Sequence, residues 1–139
     1  MKKDVILSIK PKYVKEIIDG KKHFEFRKKS FDKDKINRVF IYSSSPTQAI
    51  VGYFETDEIL EDTPERIWEQ TSQVAGINKQ DFFEYFKDRV SAAAIKIENF
   101  HLFSNPINPK EVFDKFCPPQ SYMYADTMSE KIMESAISA

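Results

Sequence analysis

The chain has 139 residues, of which 41% are hydrophobic and 31% charged, and a formal net charge of −1, which are the properties of one globular domain. A single cysteine, Cys117, excludes an internal disulfide framework, and two histidines argue against a zinc site, so we expect no cofactor. The first apolar run, Val5–Ile9, is too short for a signal peptide or a membrane span, so we expect a cytoplasmic protein without membrane binding.

Charge is distributed unevenly along the chain. Residues 1–38 contain 13 Lys or Arg residues against 6 Asp or Glu residues, whereas the remainder contains 8 against 16. Charge runs are usually solvated faces of a domain. A basic first third, however, also suits a partner that carries phosphates.

The first predicted elements are a strand over Val5–Ile9 and a helix that begins at Pro11 and ends at Asp19–Gly20. The position before the helix is Lys10, whose side chain has no oxygen to cap the first turn. The free N–H groups of this turn are therefore predicted to attract an anion.

The next segment, His23–Arg27, alternates with a period of two residues. This pattern predicts a strand with Phe24 and Phe26 directed inward and with Glu25 and Arg27 directed outward. The guanidinium of Arg27 suits a phosphate or a base edge, and Glu25 is a candidate general base. The alternative is an exposed ion pair between the two, worth roughly 0–1 kcal/mol.

The remainder predicts three more strands and several helices. Arg38–Ser43 and Ala49–Glu55 are expected to pair antiparallel, with Gly52 at a bulge or a close backbone approach. Ala92–Phe100 is predicted as one strand. Helices are expected to begin at Thr63–Pro64, Asn78 and Asn108–Pro109, Cys117–Tyr122 is expected to be extended, and Ser129–Ala139 is expected to be weakly helical, either docked or frayed. Five to six short strands with interposed helices predict an α+β fold with a curved mixed sheet or partly closed barrel.

Six segments follow one another in an order known from one domain family. They are Ile6–Pro11, Asp19–Lys22, Phe24–Arg27, Ile41–Pro46, Ile50–Phe54 and Pro118–Tyr122. Together they resemble the ASCH domain family of the PUA-like superfamily. The resemblance implies a PUA-like mixed β-barrel with peripheral helices in residues 1–125, a C-terminal extension in residues 126–139, and Glu25 and Arg27 facing a cleft beside the first helix.

The functions that the resemblance implies are RNA binding, regulatory or coactivator roles in transcription, and hydrolysis of RNA or of modified nucleosides. In the amidohydrolase branch, as the resemblance implies, a working lysine falls on Lys22, but Glu25 stands where that branch has a threonine. This departure argues against transfer of the amidohydrolase chemistry.

The residues and the resemblance together predict one cleft that binds RNA or a nucleotide-like ligand. Its predicted ligand-binding residues are Lys10, Lys22, Glu25, Arg27, Ser43, Ser45, Gln120 and Tyr122. The two serines supply hydroxyl groups, although serines beside a proline also form turns, and Tyr122 offers a surface on which a base can stack.

Three functions remain open from the sequence. The first is an RNA- or nucleotide-binding module. The second is a hydrolase acting on RNA or on a modified nucleoside, in which Glu25 acts as the base and Lys22 or Arg27 stabilises negative charge. The third is a protein-interaction module that uses the acidic segment Glu55–Glu69. The sequence leaves the oligomeric state open.

Overall fold

The computed structural model describes residues 2–137, which form eight strands and five α-helices. The strands are β1 (Lys3–Ile9), β2 (Phe24–Arg27), β3 (Ile36–Ser43), β4 (Ala49–Glu55), β5 (Ile59–Asp62), β6 (Ala92–Lys96), β7 (Glu98–Ile107) and β8 (Tyr122–Tyr124). The helices are α1 (Pro11–Ile18), α2 (Pro64–Thr71), α3 (Lys79–Tyr85), α4 (Pro109–Val112) and α5 (Met128–Ile137). The helical tail was predicted over Ser129–Ala139, and its last two residues, 138 and 139, lie outside the described residues. None of the helices in residues 2–137 has the length and apolar character needed to cross a membrane.

The strands form two sheets. The larger has the order β7-β4-β3-β1-β8, in which β1 and β3 run parallel and the other neighbours run antiparallel. The smaller is antiparallel, with the order β2-β6-β5. The α+β class, the mixed sheet and the antiparallel pairing of β3 with β4 are confirmed. Strand pairing within residues 2–137 does not close the sheets into a barrel, so the predicted barrel is not confirmed.

The strand count exceeds the predicted five to six because one apolar run serves two sheets. The segment predicted as a single strand, Ala92–Phe100, is interrupted at Ile97, where the chain passes from β6 in the smaller sheet to β7 in the larger. Strands β5 and β8 were not predicted. They contain only four and three residues, which is too short for a clear alternating pattern.

Gly52 marks a close approach of two backbones in the larger sheet. A Cβ atom at this position would stand 2.2 Å from the carbonyl oxygen of His101 on the neighbouring strand β7. The register between the two strands also shifts beside Gly52. The predicted close backbone approach is therefore confirmed.

Three buried clusters hold these elements together. The first joins α1 to both sheets, and Leu7, Val14 and Ile95 belong to it. The second covers the opposite face of the larger sheet and receives the buried Ile132 of α5. The third packs α2 and α3 against the smaller sheet around Phe82. The insertion that contains α2 and α3 is therefore attached to the domain by its own apolar cluster.

Strand β2 is covered on both faces. Phe24 and Phe26 belong to the third cluster, and the ring of Phe26 meets that of Phe82 edge-on at 5.0 Å. Glu25 and Arg27 project to the other face and are only 6% and 9% exposed. The predicted alternation of the strand is confirmed, but the alternative of an exposed ion pair was wrong, because both side chains are buried and Arg27 donates a hydrogen bond to Ser8 of β1.

Candidate functional site

A cavity of about 710 Å³ is formed where β1, α1, β2 and α3 come together. Its volume lies in the range of about 300–1,000 Å³ that small-molecule sites occupy. The turn between β3 and β4 and the segment before β8 complete its lining. Six of the eight predicted ligand-binding residues line this cavity, namely Lys10, Lys22, Glu25, Arg27, Ser45 and Gln120.

The other two predicted residues lie outside the cavity lining. Ser43 is buried at the end of β3, with Ile9 as its partner on β1, and the neighbouring Ser44 lines the cavity. Tyr122 packs edge-on against Phe31, with ring centroids 5.4 Å apart. The cavity therefore receives hydroxyl groups and aromatic surfaces from residues other than Ser43 and Tyr122.

Lys22 is a buried cation in the cavity and is only 3% exposed. Its Nζ donates a hydrogen bond to the carbonyl oxygen of Ala75 at 2.9 Å and lies 3.7 Å from Oε1 of Glu25. Burial lowers the pKa of Lys22 below its usual value, and the nearby carboxylate of Glu25 opposes this effect. These two contacts thus hold the ammonium group in a fixed position, and the carboxylate of Glu25 neutralises its charge only in part.

Gly76 allows Lys22 to occupy this position. Its φ of +63° lies in the left-handed region, and a Cβ atom on Gly76 would stand 2.4 Å from Cβ of Lys22. Any side chain at residue 76 would therefore displace Lys22 or the chain that follows α2. The insertion fixes Lys22 through this contact and through the carbonyl group of Ala75.

Glu25 and Arg27 form a buried ion pair beside Lys22. Nη2 of Arg27 lies 2.8 Å from Oε2 of Glu25 and also donates to the carbonyl oxygen of Ser8. Nε of Arg27 is buried without a hydrogen-bond partner among residues 2–137. Removing one member of a buried pair typically costs about 3–5 kcal/mol, because the other charge is left buried and uncompensated.

The start of α1 also faces the cavity. Lys10 precedes the helix with extended backbone angles, and its side chain makes no capping hydrogen bond, as predicted. The cavity therefore receives the Lys10 side chain next to an uncapped helical turn.

Charged side chains of both signs line the cavity. Four cations, Lys10, Lys12, Lys22 and Arg27, come from the first 27 residues. Helix α3 contributes the carboxylates of Asp81 and Glu84. A ligand that carries both an anionic group and hydrogen-bond donors would match this set of side chains.

Sequence reasoning missed several residues of the cavity. Asp81, Glu84 and Tyr85 lie at positions i, i+3 and i+4 of α3, on one face of the helix. This amphipathic spacing is a signal for a polar helix face, but it does not identify the cavity that the face lines. Burial raises the pKa of the Tyr85 hydroxyl, and the Nζ of Lys28 lies 4.8 Å from the centre of its ring.

Two further tyrosines contribute to the lining. Tyr13 lies on α1, and Tyr42, which lies on β3, is a buried member of the second cluster. Burial raises the pKa of the Tyr42 hydroxyl. Among residues 2–137, no group of three or more His, Cys, Asp or Glu side chains is arranged to hold a metal ion.

Comparison with known proteins gives one family and several relatives. The family model of the ASCH domain matches residues 7–101. A protein from Zymomonas mobilis named ASCH domain-containing ribonuclease is 28% identical over 123 residues, which cover 86% of this chain and 82% of that protein. Large ribosomal subunit protein uL22 from Ureaplasma parvum is 23% identical over 120 residues, which cover 86% of this chain and only 38% of the ribosomal protein.

Solved structures share the fold. The crystal structure of ASCH from Zymomonas mobilis has a TM-score of 0.84 at 24% identity and covers 96% of this chain and 94% of that chain. A serine-to-alanine variant of the same protein gives 0.85 at 24% identity, with 96% of each chain covered. The N-terminal domain of McrB from Staphylothermus marinus gives 0.61 at 10% identity, covering 97% of this chain and 94% of that one.

Proposed function

Because this chain belongs to the ASCH domain family, we propose that its cavity binds single-stranded RNA. The observation that carries this proposal is the set of four cations that line one concave cavity together with the carboxylates of Asp81 and Glu84. A phosphate binds to these cations, and the amino or hydroxyl groups of the nucleoside donate to the two carboxylates. A concave site of this size suits an unstacked nucleotide better than a duplex.

Arg27 is the principal phosphate contact in this proposal. It lines the cavity, and the planar fork of donors on its guanidinium matches the oxygens of a phosphate. Lys10 adds an exposed cation, whereas Lys22 adds a buried one. The relative from Zymomonas mobilis that is named a ribonuclease gives independent support for RNA as the ligand class.

The test of binding is the fluorescence anisotropy of labelled single-stranded RNA over a salt range of about 50–200 mM. Arg27→Ala should weaken binding at least about tenfold and reduce the salt dependence, because one phosphate contact is lost. Arg27→Lys keeps the charge but loses the planar fork of donors, so it should bind RNA with intermediate affinity.

Arg38 offers a matched control for Arg27. It also carries a buried, unpartnered Nε and pairs with a carboxylate, that of Asp4, at 3.2 Å, but it does not line the cavity. Arg38→Ala should therefore leave RNA affinity unchanged. Absence of RNA binding by the wild-type chain at low salt, or equal losses in the Arg27 and Arg38 variants, would contradict the proposal.

A second candidate function is cleavage of the bound RNA. The buried group of Lys22, Glu25 and Arg27 favours it, because a carboxylate with one cation at 2.8 Å and another at 3.7 Å can move a proton and stabilise a phosphorane. In this reaction Glu25 accepts the 2′-hydroxyl proton, and the 2′-oxygen attacks the adjacent phosphorus. The bond from phosphorus to the 5′-oxygen breaks, and this oxygen takes up a proton. The products are a 2′,3′-cyclic phosphate and a 5′-hydroxyl.

Mass spectrometry of RNA incubated with the protein tests the cleavage. Wild type should release fragments that end in a cyclic phosphate, and Glu25→Gln should lower the rate by about 10²–10⁴-fold. A panel of acylated nucleosides in the same assay tests hydrolysis of modified nucleosides. Binding of RNA without turnover would indicate a binding module. A regulatory role in transcription requires such a module.

We also propose a cytoplasmic location. Cys117 is free and exposed, which suits a reducing compartment in which RNA is present. Cell fractionation followed by detection of the untagged chain tests this location, and recovery outside the cytoplasmic fraction would oppose it.

A further inference from the structure

A second cavity of about 350 Å³ adjoins the main one. Four residues line both cavities, namely Lys12, Tyr13, Ile77 and Asp81. Glu16 and Asn78 line only the second. Because the two cavities share four lining residues from α1, α3 and the segment before α3, they lie side by side at these residues.

Tyr13 lies at the junction of the two cavities. Its ring centre is 4.9 Å from Nζ of Lys12 and 5.3 Å from Nζ of Lys22. A polynucleotide presents phosphates and bases alternately along its length, and a ring flanked by cations offers a contact for each. A chain of nucleotides is therefore a suitable ligand for the junction between the two cavities.

The second cavity carries mainly hydrogen-bond acceptors. Glu16 and Asp81 contribute carboxylates, and the amide nitrogen of Asn78 already donates to Oδ2 of Asp81 at 3.2 Å. Two carboxylates oppose a second phosphate, but they accept from the amino group of a base or from a ribose hydroxyl. The chemistry of this cavity thus suits a nucleoside and not an anion.

We infer that the second cavity is a subsite for the nucleoside of a neighbouring nucleotide, with the connecting phosphate held near Lys12 and Lys22. The ligand of this site is then an oligonucleotide of at least two units and not a mononucleotide. This inference rests on the proposed function, since it concerns the continuation of the same RNA-binding site.

Calorimetric titration with unlabelled adenylates of one, two and three units tests the subsite. Adenylates with 2′-fluoro substitution are used because they lack the 2′-hydroxyl that the proposed cleavage requires. Wild type should bind the two-unit ligand about tenfold more tightly than the one-unit ligand, since a second base gains a stacking contact.

A bulky residue in the second cavity should remove this gain. Glu16→Trp fills the subsite without altering a residue of the main cavity, so it should bind all three lengths with the affinity that wild type shows for the one-unit ligand. Ile18→Trp is the matched control, because Ile18 lies on the same helix, is 44% exposed and lines neither cavity. This control should retain the preference for longer ligands.

The outcomes separate the inference from the proposed function. Equal affinity of wild type for one-unit and two-unit ligands overturns the subsite, and it does so without any variant. A preserved length dependence in Glu16→Trp overturns it as well. If no adenylate binds at any length, the RNA-binding proposal fails and the subsite fails with it.

Discussion

Lys22 owes its position in the cavity to contacts from two directions. The insertion supplies a hydrogen-bond acceptor at Ala75 and a glycine at residue 76, and β2 supplies the carboxylate of Glu25. A cation held in this way needs little ordering when an anion binds, whereas an exposed lysine loses side-chain entropy. Burial lowers the pKa of Lys22 at the same time, which couples its charge to pH.

This coupling predicts a pH dependence of RNA binding. The folded-state pKa of Lys22 lies below 10.5, so the cation and its contribution to phosphate binding are lost as pH rises through that lower pKa. Oligoadenylate affinity measured by anisotropy from about pH 7 to 10 should fall in wild type. In Lys22→Arg the guanidinium stays charged, so this part of the decrease should disappear. An identical decrease in both proteins would show that Lys22 does not contribute to phosphate binding.

Two glycines with positive φ, one after α1 and one before α3, provide a test of how Lys22 is positioned. Gly76 and Gly20 have φ values of +63° and +76°, but a Cβ atom would collide with Lys22 only at Gly76, since nothing lies within 4 Å at Gly20. Gly20→Ala should cost about 1–2 kcal/mol of unfolding free energy and leave RNA affinity unchanged. Gly76→Ala should cost more and weaken RNA binding as well. Urea denaturation and anisotropy measure the two effects, and equal behaviour of the two variants would argue against positioning by Gly76.

Among the elements, α1 lacks a side-chain cap at its N-terminus and also borders the cavity. Lys10 occupies its N-cap position without capping the helix, whereas Thr63 caps α2 by accepting from the N–H of Arg66 at 3.3 Å. A residue that capped α1 would stabilise the helix but would remove a cation from the cavity. The element therefore shows opposed requirements for stability and binding.

Lys10→Ser should move stability and affinity in opposite directions. A serine at the N-cap accepts a hydrogen bond from the first turn, so the unfolding free energy should rise by about 1 kcal/mol. RNA affinity should fall, because Lys10 lines the cavity. Thr63→Ala is the control: it should lose about 1 kcal/mol of stability at α2 and keep its RNA affinity. A serine variant that binds RNA as wild type does would show that Lys10 makes no contact with the ligand.

The helix starts could be predicted from sequence because capping is local. Pro11, Pro64, Asn78 and Asn108 each stand at or next to the observed start of a helix. The division between β6 and β7 at Ile97 could not be predicted in this way, because it depends on which sheet each half joins. Local patterns determine where elements begin, whereas partners distant in sequence determine how one apolar run is divided.

The candidate site shows the same limit. Lys10, Lys22, Glu25 and Arg27 were predicted together because one short stretch of chain contains them all. The carboxylates of α3 were missed, since they reach the cavity only after Phe82 and its neighbours pack against the smaller sheet. The polar face of a helix can be recognised from its periodicity, but its position in the fold requires tertiary packing.

At the scale of the whole molecule, α5, the last described element, packs against the larger sheet. Helix α5 places Ile132 at 0% exposure within the second cluster, and Met128 and Met133 pack against the same cluster. Tyr42 belongs to this cluster and also lines the cavity. We therefore propose that the described part of the predicted extension, residues 126–137, folds as part of the domain that precedes it.

Shortening and point variants of α5 test this proposal. A chain that ends at Ala125 should lose unfolding free energy in urea, because the apolar surface around Ile6 and Phe40 would be uncovered. Ile132→Ala should cost about 2–5 kcal/mol, since it leaves a cavity in a fully buried cluster. Ile137→Ala, at a residue 79% exposed on the same helix, should change stability by no more than about 0.5 kcal/mol. If the shortened chain unfolded at the same urea concentration as the full chain, α5 would be an attached segment whose packing contributes nothing to the fold.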